Sequence, residues 1–340
     1  MKKLLALVLA VLMVITVFAG CAAKEESSAP SNDQSSSVAG DSSSGGSTNK
    51  EGPYKFGYSP PTMNNPFFIY IEDTMKSKLH EGDELITSDP QQDTSKQVSG
   101  IEDMCMAGID VLLVCPFDSA GIRPGLDAAK KAGVFIVNFD TDVIDTDMVD
   151  VILVSDNVNA GYVMGEQVAK DFPNGAKIAI LNSPVGEATN NREKGFRQAL
   201  EDAGGEGAGY TVVATQDGKG ETQSALAPAE NILQAHPDLD CFFAINDPSA
   251  MGCVAALEAA KKVGQIKVYG VDGAPEGKKA MKEGKMHGSG AQSPKGLAEG
   301  SIELAYKLLA GEDVGEHKQL VPTFNINPEN VDDFGVDSWQ

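Results

Sequence analysis

Positive charge is scarce in this chain. Across 340 residues, 27 Lys and Arg stand against 49 Asp and Glu, giving a formal net charge of −22, and no basic run exceeds two residues. So acidic a surface repels phosphate backbones, which excludes nucleic acid as an expected partner. The five cysteines (Cys21, Cys105, Cys115, Cys241, Cys253) form no CxxC pair and no Cys/His zinc spacing, so no metal site is expected. A chain of this length does not need disulfide staples, and a Cys105–Cys115 bridge is disfavoured; the last four cysteines read as small buried apolar residues. A glycine-rich phosphate loop is also missing. Where a nicotinamide enzyme places GxGxxG, this chain has Gly57-Tyr58-Ser59-Pro60-Pro61-Thr62, with one glycine and two prolines. The four histidines (His80, His236, His287, His317) are scattered, none beside a nucleophile in sequence. No enzyme activity and no cofactor are therefore expected.

Long apolar runs are absent except at the start. Met1-Lys2-Lys3 leads into Leu4–Ala19, a basic segment and an apolar core at the length of a secretory leader. The run ends in Phe18-Ala19-Gly20-Cys21, similar to the lipobox of bacterial lipoproteins, in which the cysteine becomes the lipidated first residue. Residues 1–20 are thus expected to be a signal peptide and Cys21 a membrane anchor. Residues 24–52 hold ten Ser and four Gly among twenty-nine, too polar to offset their own ordering entropy. Together with Cys21 they make 21–52 a tether, with an end-to-end distance of about 30 Å as a flexible coil.

From Pro53 onward, short β-rich runs alternate with amphipathic stretches. Strands are predicted at Tyr54–Ser59, Glu84–Ser88, Val111–Val114, Val134–Phe139, Val151–Val154, Lys177–Asn182, Thr211–Thr215, Cys241–Asn246 and Ile266–Val271. Helices fill the gaps, several closed by Gly. Such alternation builds parallel sheets covered on both faces, and two groups of about five strands fit two doubly wound α/β domains. Ligands of such sheets sit beyond the carboxyl ends of the strands. Polar residues gather there: Asn64-Asn65, Asp140, Asn246-Asp247, Asp272 and Gln292. Each has an ordinary alternative as a helix cap, as Phe67-Phe68 has as core.

Taken in order, these exits resemble the ribose-binding protein family, the type I periplasmic sugar-binding proteins of ATP-binding-cassette (ABC) importers. The landmarks are Asn64-Asn65-Pro66-Phe67-Phe68, Asn138-Phe139-Asp140, Ser155-Asp156-Asn157, Arg192 before Gly195-Phe196, Ala235-His236-Pro237-Asp238, Phe243-Ala244-Ile245-Asn246-Asp247, Gly270-Val271-Asp272-Gly273 and Ala291-Gln292. The resemblance spans roughly residues 54–327. It implies that Asn65, Asp140, Arg192, Asn246, Asp272 and Gln292 hydrogen-bond sugar hydroxyls and that Phe67 and Phe68 pack against the ring. A hydroxyl both donates and accepts, which suits a carboxylate beside Arg and carboxamides, while aromatic faces cover the C–H side of a sugar. It further implies three strands crossing between the domains, near Ser155, Gln292 and Val321, with lobes of 53–154 plus 293–321 and 155–292 plus 322–340, closing on a ligand by a hinge.

Two departures bear on the ligand. Thr141 stands where ribose binders carry an Arg, and near Gly220 a third aromatic is missing. Ribose is therefore not expected to be the tightest ligand unless another side chain, such as Asn190 or Lys219, substitutes. The implied product is a monomeric, exported lipoprotein that delivers a sugar or sugar-like ligand to ABC permease subunits; a sensor kinase or chemoreceptor is the alternative partner. Repressors of the same ligand-binding fold carry an N-terminal helix-turn-helix, and a leader and tether occupy that place here.

Overall fold

The computed structural model describes residues 52–340. The expected leader, the lipidation at Cys21 and the tether before Gly52 lie outside the described residues. Two six-stranded sheets organise the described chain. The first holds β1 (Lys55–Ser59), β2 (Glu84–Thr87), β3 (Val111–Val114), β4 (Phe135–Phe139), β5 (Val151–Ser155) and β11 (Lys318–Val321), ordered β11-β5-β4-β3-β1-β2 and parallel throughout. The second holds β6 (Ala176–Asn182), β7 (Tyr210–Asp217), β8 (Cys241–Ala244), β9 (Lys267–Asp272), β10 (Gly288–Ala291) and β12 (Phe324–Ile326), ordered β12-β10-β9-β8-β6-β7, with only β12 antiparallel.

Burial explains this ordering. Central strands β3 (Val-Leu-Leu-Val) and β8 (Cys-Phe-Phe-Ala) are buried at every position, as strands covered on both faces must be. Edge strand β11 alternates exposed and half-buried residues, and edge strand β2 is exposed at both ends and half-buried between them. The first sheet is covered by α1 (Pro66–Lys78), α2 (Thr94–Met106), α3 (Arg123–Lys131) and α9 (Pro294–Ala310), and the second by α4 (Asn157–Asp171), α5 (Glu187–Asp202), α6 (Thr222–Ala235), α7 (Asp247–Ala260) and α8 (Pro275–Lys282). One apolar cluster lies on each face of each sheet. Cys115, Cys241 and Cys253 are buried thiols, Cys105 is half-buried, and none of the four is bridged. Among the described residues no helix is long and apolar enough to cross a membrane.

Three of the helices that frame the cleft start with a polar cap followed by proline, which lacks the N–H that a first turn cannot use. Asn65 caps α1 ahead of Pro66, Asn246 caps α7 ahead of Pro248, and Ser293 caps α9 ahead of Pro294. The chain passes between the sheets three times: at Asp156 between β5 and α4, at Gln292-Ser293 between β10 and α9, and at Pro322-Thr323 between β11 and β12. The first and third crossings are tied together. Asp156 N donates to Val321 O at 2.9 Å, Thr323 Oγ1 donates to Asp156 O at 3.0 Å, and Asn159 Nδ2 donates to Thr323 O at 2.9 Å.

In the second lobe α4 and α5 meet backbone to backbone, because Gly161 and Gly195 carry no Cβ. A Cβ on Gly161 would collide with the carbonyl oxygen of Arg192, and one on Gly195 with that of Val158. This contact seats α5, and with it Arg192, under the cleft. β10, β11, β12 and α8 were not legible in the sequence. α3 starts only at Arg123, since Asp118 Oδ1 accepts from Ala120 N and Gly121 N and holds the stretch before it in a turn.

Candidate ligand-binding site

The carboxyl ends of both sheets face one cavity of about 100 Å³. All nine residues singled out from the sequence line it: Asn65, Phe67, Phe68, Asp140, Thr141, Arg192, Asn246, Asp272 and Gln292. The mouth is shut by contacts between the lobes. Ser119 N donates to Val185 O at 3.1 Å, Glu187 N to Ser119 Oγ at 3.0 Å, and Gln92 Nε2 to Lys219 O at 3.2 Å. The protein is therefore seen closed.

Two of the nine also serve the fold. Asn65 Oδ1 accepts from Phe67 N as the α1 cap, which leaves its amide N–H₂ as a donor for the cavity. Asn246 is more fully engaged: Oδ1 accepts from Ser249 N and Nδ2 donates to Gly220 O, both at 2.9 Å. Phe67 and Phe68 are buried and meet edge to face, with ring centroids 5.3 Å apart. For these residues the ordinary alternatives hold alongside cavity lining.

Arg192 is 4% exposed and fixed on two sides. Nε donates to Asn157 Oδ1 at 2.8 Å, Nη1 donates to Ile245 O at 2.9 Å, and Nη1 lies 3.6 Å from Asp272 Oδ1. Asp272 Oδ1 accepts from Gln292 Nε2 at 2.7 Å. Behind it, Asp247 accepts from Ala274 N at 2.8 Å and from Ser289 Oγ at 2.7 Å, pinning the loop that carries Asp272. On the opposite wall Asn138 does comparable work, bonding Val114 O, Thr141 O and Val143 N, so Asp140 and Thr141 are held at the tip of a braced turn.

Among the cavity-lining residues, two buried acceptors have no partner: Asp140 Oδ1 and Gln292 Oε1. Buried polar atoms are ordinarily hydrogen-bonded, so an unpartnered one needs a reason. Both line one cavity with the Arg192 guanidinium, and the arrangement is ready to accept from donors brought by a ligand. Asp140 Oδ2 is only weakly engaged, by Thr141 Oγ1 at 3.4 Å and Cys115 Sγ at 3.5 Å. Burial pushes the carboxyls of Asp140 and Asp272 up, against the nearby Arg192 charge, and Asp272 reaches about 6. Both residues sit at positive φ, +62° and +135°, in backbone that L-residues avoid. Such strain persists only where the surroundings over-determine it, and it clusters at functional sites.

The structure adds cavity residues that the sequence did not disclose. Phe117 enters from the loop after β3 and supplies a third ring, though not near Gly220; Thr62, Ser183 and Thr189 add hydroxyls. Lys219 lines the cavity, whereas Asn190 does not and instead donates to Pro184 O at 3.1 Å. Strand-exit position could have flagged Phe117 and Ser183. Asn157 was visible as a landmark, but not as the residue that orients Arg192.

Two parallel-sheet lobes, three crossings and a polar cavity closed between them define a two-domain binding protein. The profile of the periplasmic binding protein domain matches residues 56–313, and the chain belongs to that family. The ribose import binding protein of Salmonella typhimurium is 33% identical over 255 residues, covering 74% of this chain and 84% of the relative. That of Bacillus subtilis is 32% identical over 263 residues, covering 77% and 83%. A solute-binding protein of an ABC transporter from Bacillus halodurans, solved with bound myo-inositol, superposes with a TM-score of 0.77 at 28% identity, covering 86% of this chain and 100% of that one. The fold is that of the type I periplasmic sugar-binding proteins, a family of extracytoplasmic binders rather than enzymes.

Proposed function

We propose that this protein captures a neutral monosaccharide or cyclic polyol by closing its lobes and delivers it to an ABC permease. The observation that carries the reading is the pair of unpartnered acceptors, Asp140 Oδ1 and Gln292 Oε1, lining a cavity of about 100 Å³ that Arg192 also lines. Hydroxyl groups donate to such acceptors and accept from guanidinium and carboxamide N–H groups, so one polyol satisfies both sets at once. Phe67, Phe68 and Phe117 supply apolar faces for its C–H side. The relatives named for ribose and the solved relative with myo-inositol support this class of ligand.

Within the class, ribose is not the tightest ligand on this reading. Thr141 offers one short hydroxyl beside Asp140 where ribose binders present a guanidinium, and a hexose, cyclitol or furanosyl signal fills that volume better. A thermal-shift screen of pentoses, hexoses, polyols and furanosyl signals tests both statements, because a ligand at 100 times its Kd raises stability by about 2.7 kcal/mol. No shift with any member rejects the function; ribose giving the largest shift, with submicromolar calorimetric affinity, rejects the choice within it.

The same reading makes the protein a monomer held outside the cell membrane by lipid on Cys21. Cys21→Ser then releases it from washed membranes. Unchanged retention, with no lipid mass on the N-terminal peptide, argues against the anchor.

A further inference from the structure

Beyond the family-like region, the segment Gly335–Gln340 runs across the back of the cleft and touches both lobes by different means. Its polar attachments all go to the second lobe and the middle crossing. Gln340 Nε2 donates to the carbonyls of Asp272, Gly273 and Gln292, each at 3.1 Å, and Ser293 Oγ donates to Gln340 O at 3.1 Å. The fully buried Lys278 on α8 donates to Phe334 O at 3.0 Å, Ser338 O at 2.6 Å and Gln340 Oε1 at 3.0 Å. Gly273 has no Cβ to obstruct this approach; one built there would collide with Gln340 Nε2.

The attachment to the first lobe is aromatic. Trp339 stands edge to face on Phe67, centroids 5.5 Å apart, and lies 6.2 Å from Tyr70. When the lobes part, one attachment must give way. Six partly buried side-chain hydrogen bonds from Gln340 and Lys278 hold the second-lobe side, against two ring contacts and the packing of Trp339 on the first-lobe apolar cluster. The apolar contact carries no directional bond, and it is the attachment that separates in the proposal that follows.

We propose that Gly335–Gln340 is a latch for the closed state, in which Trp339 positions the cavity ring of Phe67 from behind and Gln340 fixes the backbone carrying Asp272 and Gln292. The proposal rests on the reading of the cavity as a ligand site. A latch made only on closure raises the closed fraction, and apparent affinity scales with the fraction that is binding-competent. Trp339 is the one tryptophan of the chain, so its emission reports the contact directly.

The test uses the full chain titrated with D-ribose, D-allose and myo-inositol, by calorimetry and by tryptophan emission. For a probe that binds, emission shifts to shorter wavelength and becomes shielded from acrylamide. Trp339→Ala then raises its Kd roughly tenfold, in the range of a lost aromatic anchor, with faster release and little change in ligand-free melting temperature. Trp339→Phe recovers most of the loss. Unchanged affinity in Trp339→Ala, or emission indifferent to a probe that binds, overturns the latch. Should none of the three sugars bind, that counts against the ligand reading, and the latch is decided without a ligand. The pair Ser119→Cys with Glu187→Cys, placed where Glu187 N meets Ser119 Oγ at 3.0 Å, locks the mouth on oxidation. Blue-shifted, shielded emission in the oxidised form relative to the reduced form supports the latch, and identical emission overturns it.

Discussion

The two lobes are built on the same strand plan and furnish the cavity differently. Reading each sheet from its edge, β11-β5-β4-β3-β1-β2 superimposes in order on β12-β10-β9-β8-β6-β7. In that correspondence β4 matches β9, and each delivers one carboxylate at positive φ: Asp140 just after β4, Asp272 at the end of β9. Around this shared device the walls diverge. The first lobe supplies Phe67, Phe68 and Phe117; the second supplies Arg192, Ser183, Thr189 and Asn246, with Gln292 at the crossing. The cavity's aromatic rings thus come from the first lobe alone, while its polar groups come from both and its guanidinium from the second. Topology repeats while chemistry specialises, and four measurements test that division.

The largest effect is expected on the seating of α5. Gly161→Ala sets a methyl against the Arg192 carbonyl, which is backbone and cannot swing aside, so a loss of about 4 kcal/mol or more is expected in denaturant melts. Gly300 on α9 in the first lobe is the control. There a Cβ would meet the side chain of Leu153 at 2.7 Å, which can rotate, so Gly300→Ala costs far less. Equal losses would dissolve the distinction between the lobes.

Arg192→Ala comes next. It removes the guanidinium that faces Asp272 and strips Asn157 and the Ile245 carbonyl of a donor, leaving buried groups unpaired. A penalty of about 3 kcal/mol in ligand affinity, roughly a hundredfold in Kd, is expected by calorimetry. Retained affinity would confine Arg192 to a structural role.

The third measurement is pH. The folded pKa of Asp272, about 6, lies above its ordinary value of 3.8. The unliganded folded chain then binds more protons than the unfolded chain across that window, so this group's contribution to stability falls as pH rises from about 4 to 6. A hydroxyl donating to the carboxylate favours the ionised form, and ligand affinity should rise with pH over the same range and level off above it. A tightening of up to roughly tenfold between pH 5 and 7 is expected, and a flat profile would show that the ligand does not touch Asp272.

The smallest effect is expected at the aromatic wall. Phe68→Leu keeps most of the buried volume and loses the ring face, at a cost of about 1 kcal/mol in affinity with the fold retained. A loss matching that of Arg192→Ala would reverse the division of labour between the lobes.

How far the residues alone disclosed this arrangement follows from their chemistry. β3, β4, β5 and β8 were legible because central strands need unbroken apolar runs, and Asn65 and Asn246 because a polar cap before Pro marks a helix start at a strand exit. β10 was not, since Gly288-Ser289-Gly290-Ala291 has no strand-forming residue. Its small side chains answer to the close approach of Ala160, whose carbonyl a Cβ on Gly290 would strike. β12 is three residues long and α8 carries a glycine in eight, so neither displays a period. All nine site residues lie at strand exits, at the first turn of α1 or on the cleft face of α5, which is why position in a doubly wound fold pointed to them. Phe117 escaped because its neighbours Pro116 and Asp118 read as an ordinary turn. The Trp339 contact joins residues far apart in sequence with no local pattern to announce it.

The tie between the first and third crossings has a consequence for what an outside observer of the molecule can learn. Asp156 is bonded to Val321 and to Thr323, so two of the three strands linking the lobes act as one axle. An axle permits rotation about itself and resists sliding and splaying. Under the closure proposed above, the outer surfaces of the lobes change their relative orientation along a single coordinate, with shut and open as its ends. A partner touching both lobes receives one bit, occupied or vacant, and needs no contact with the ligand to read it.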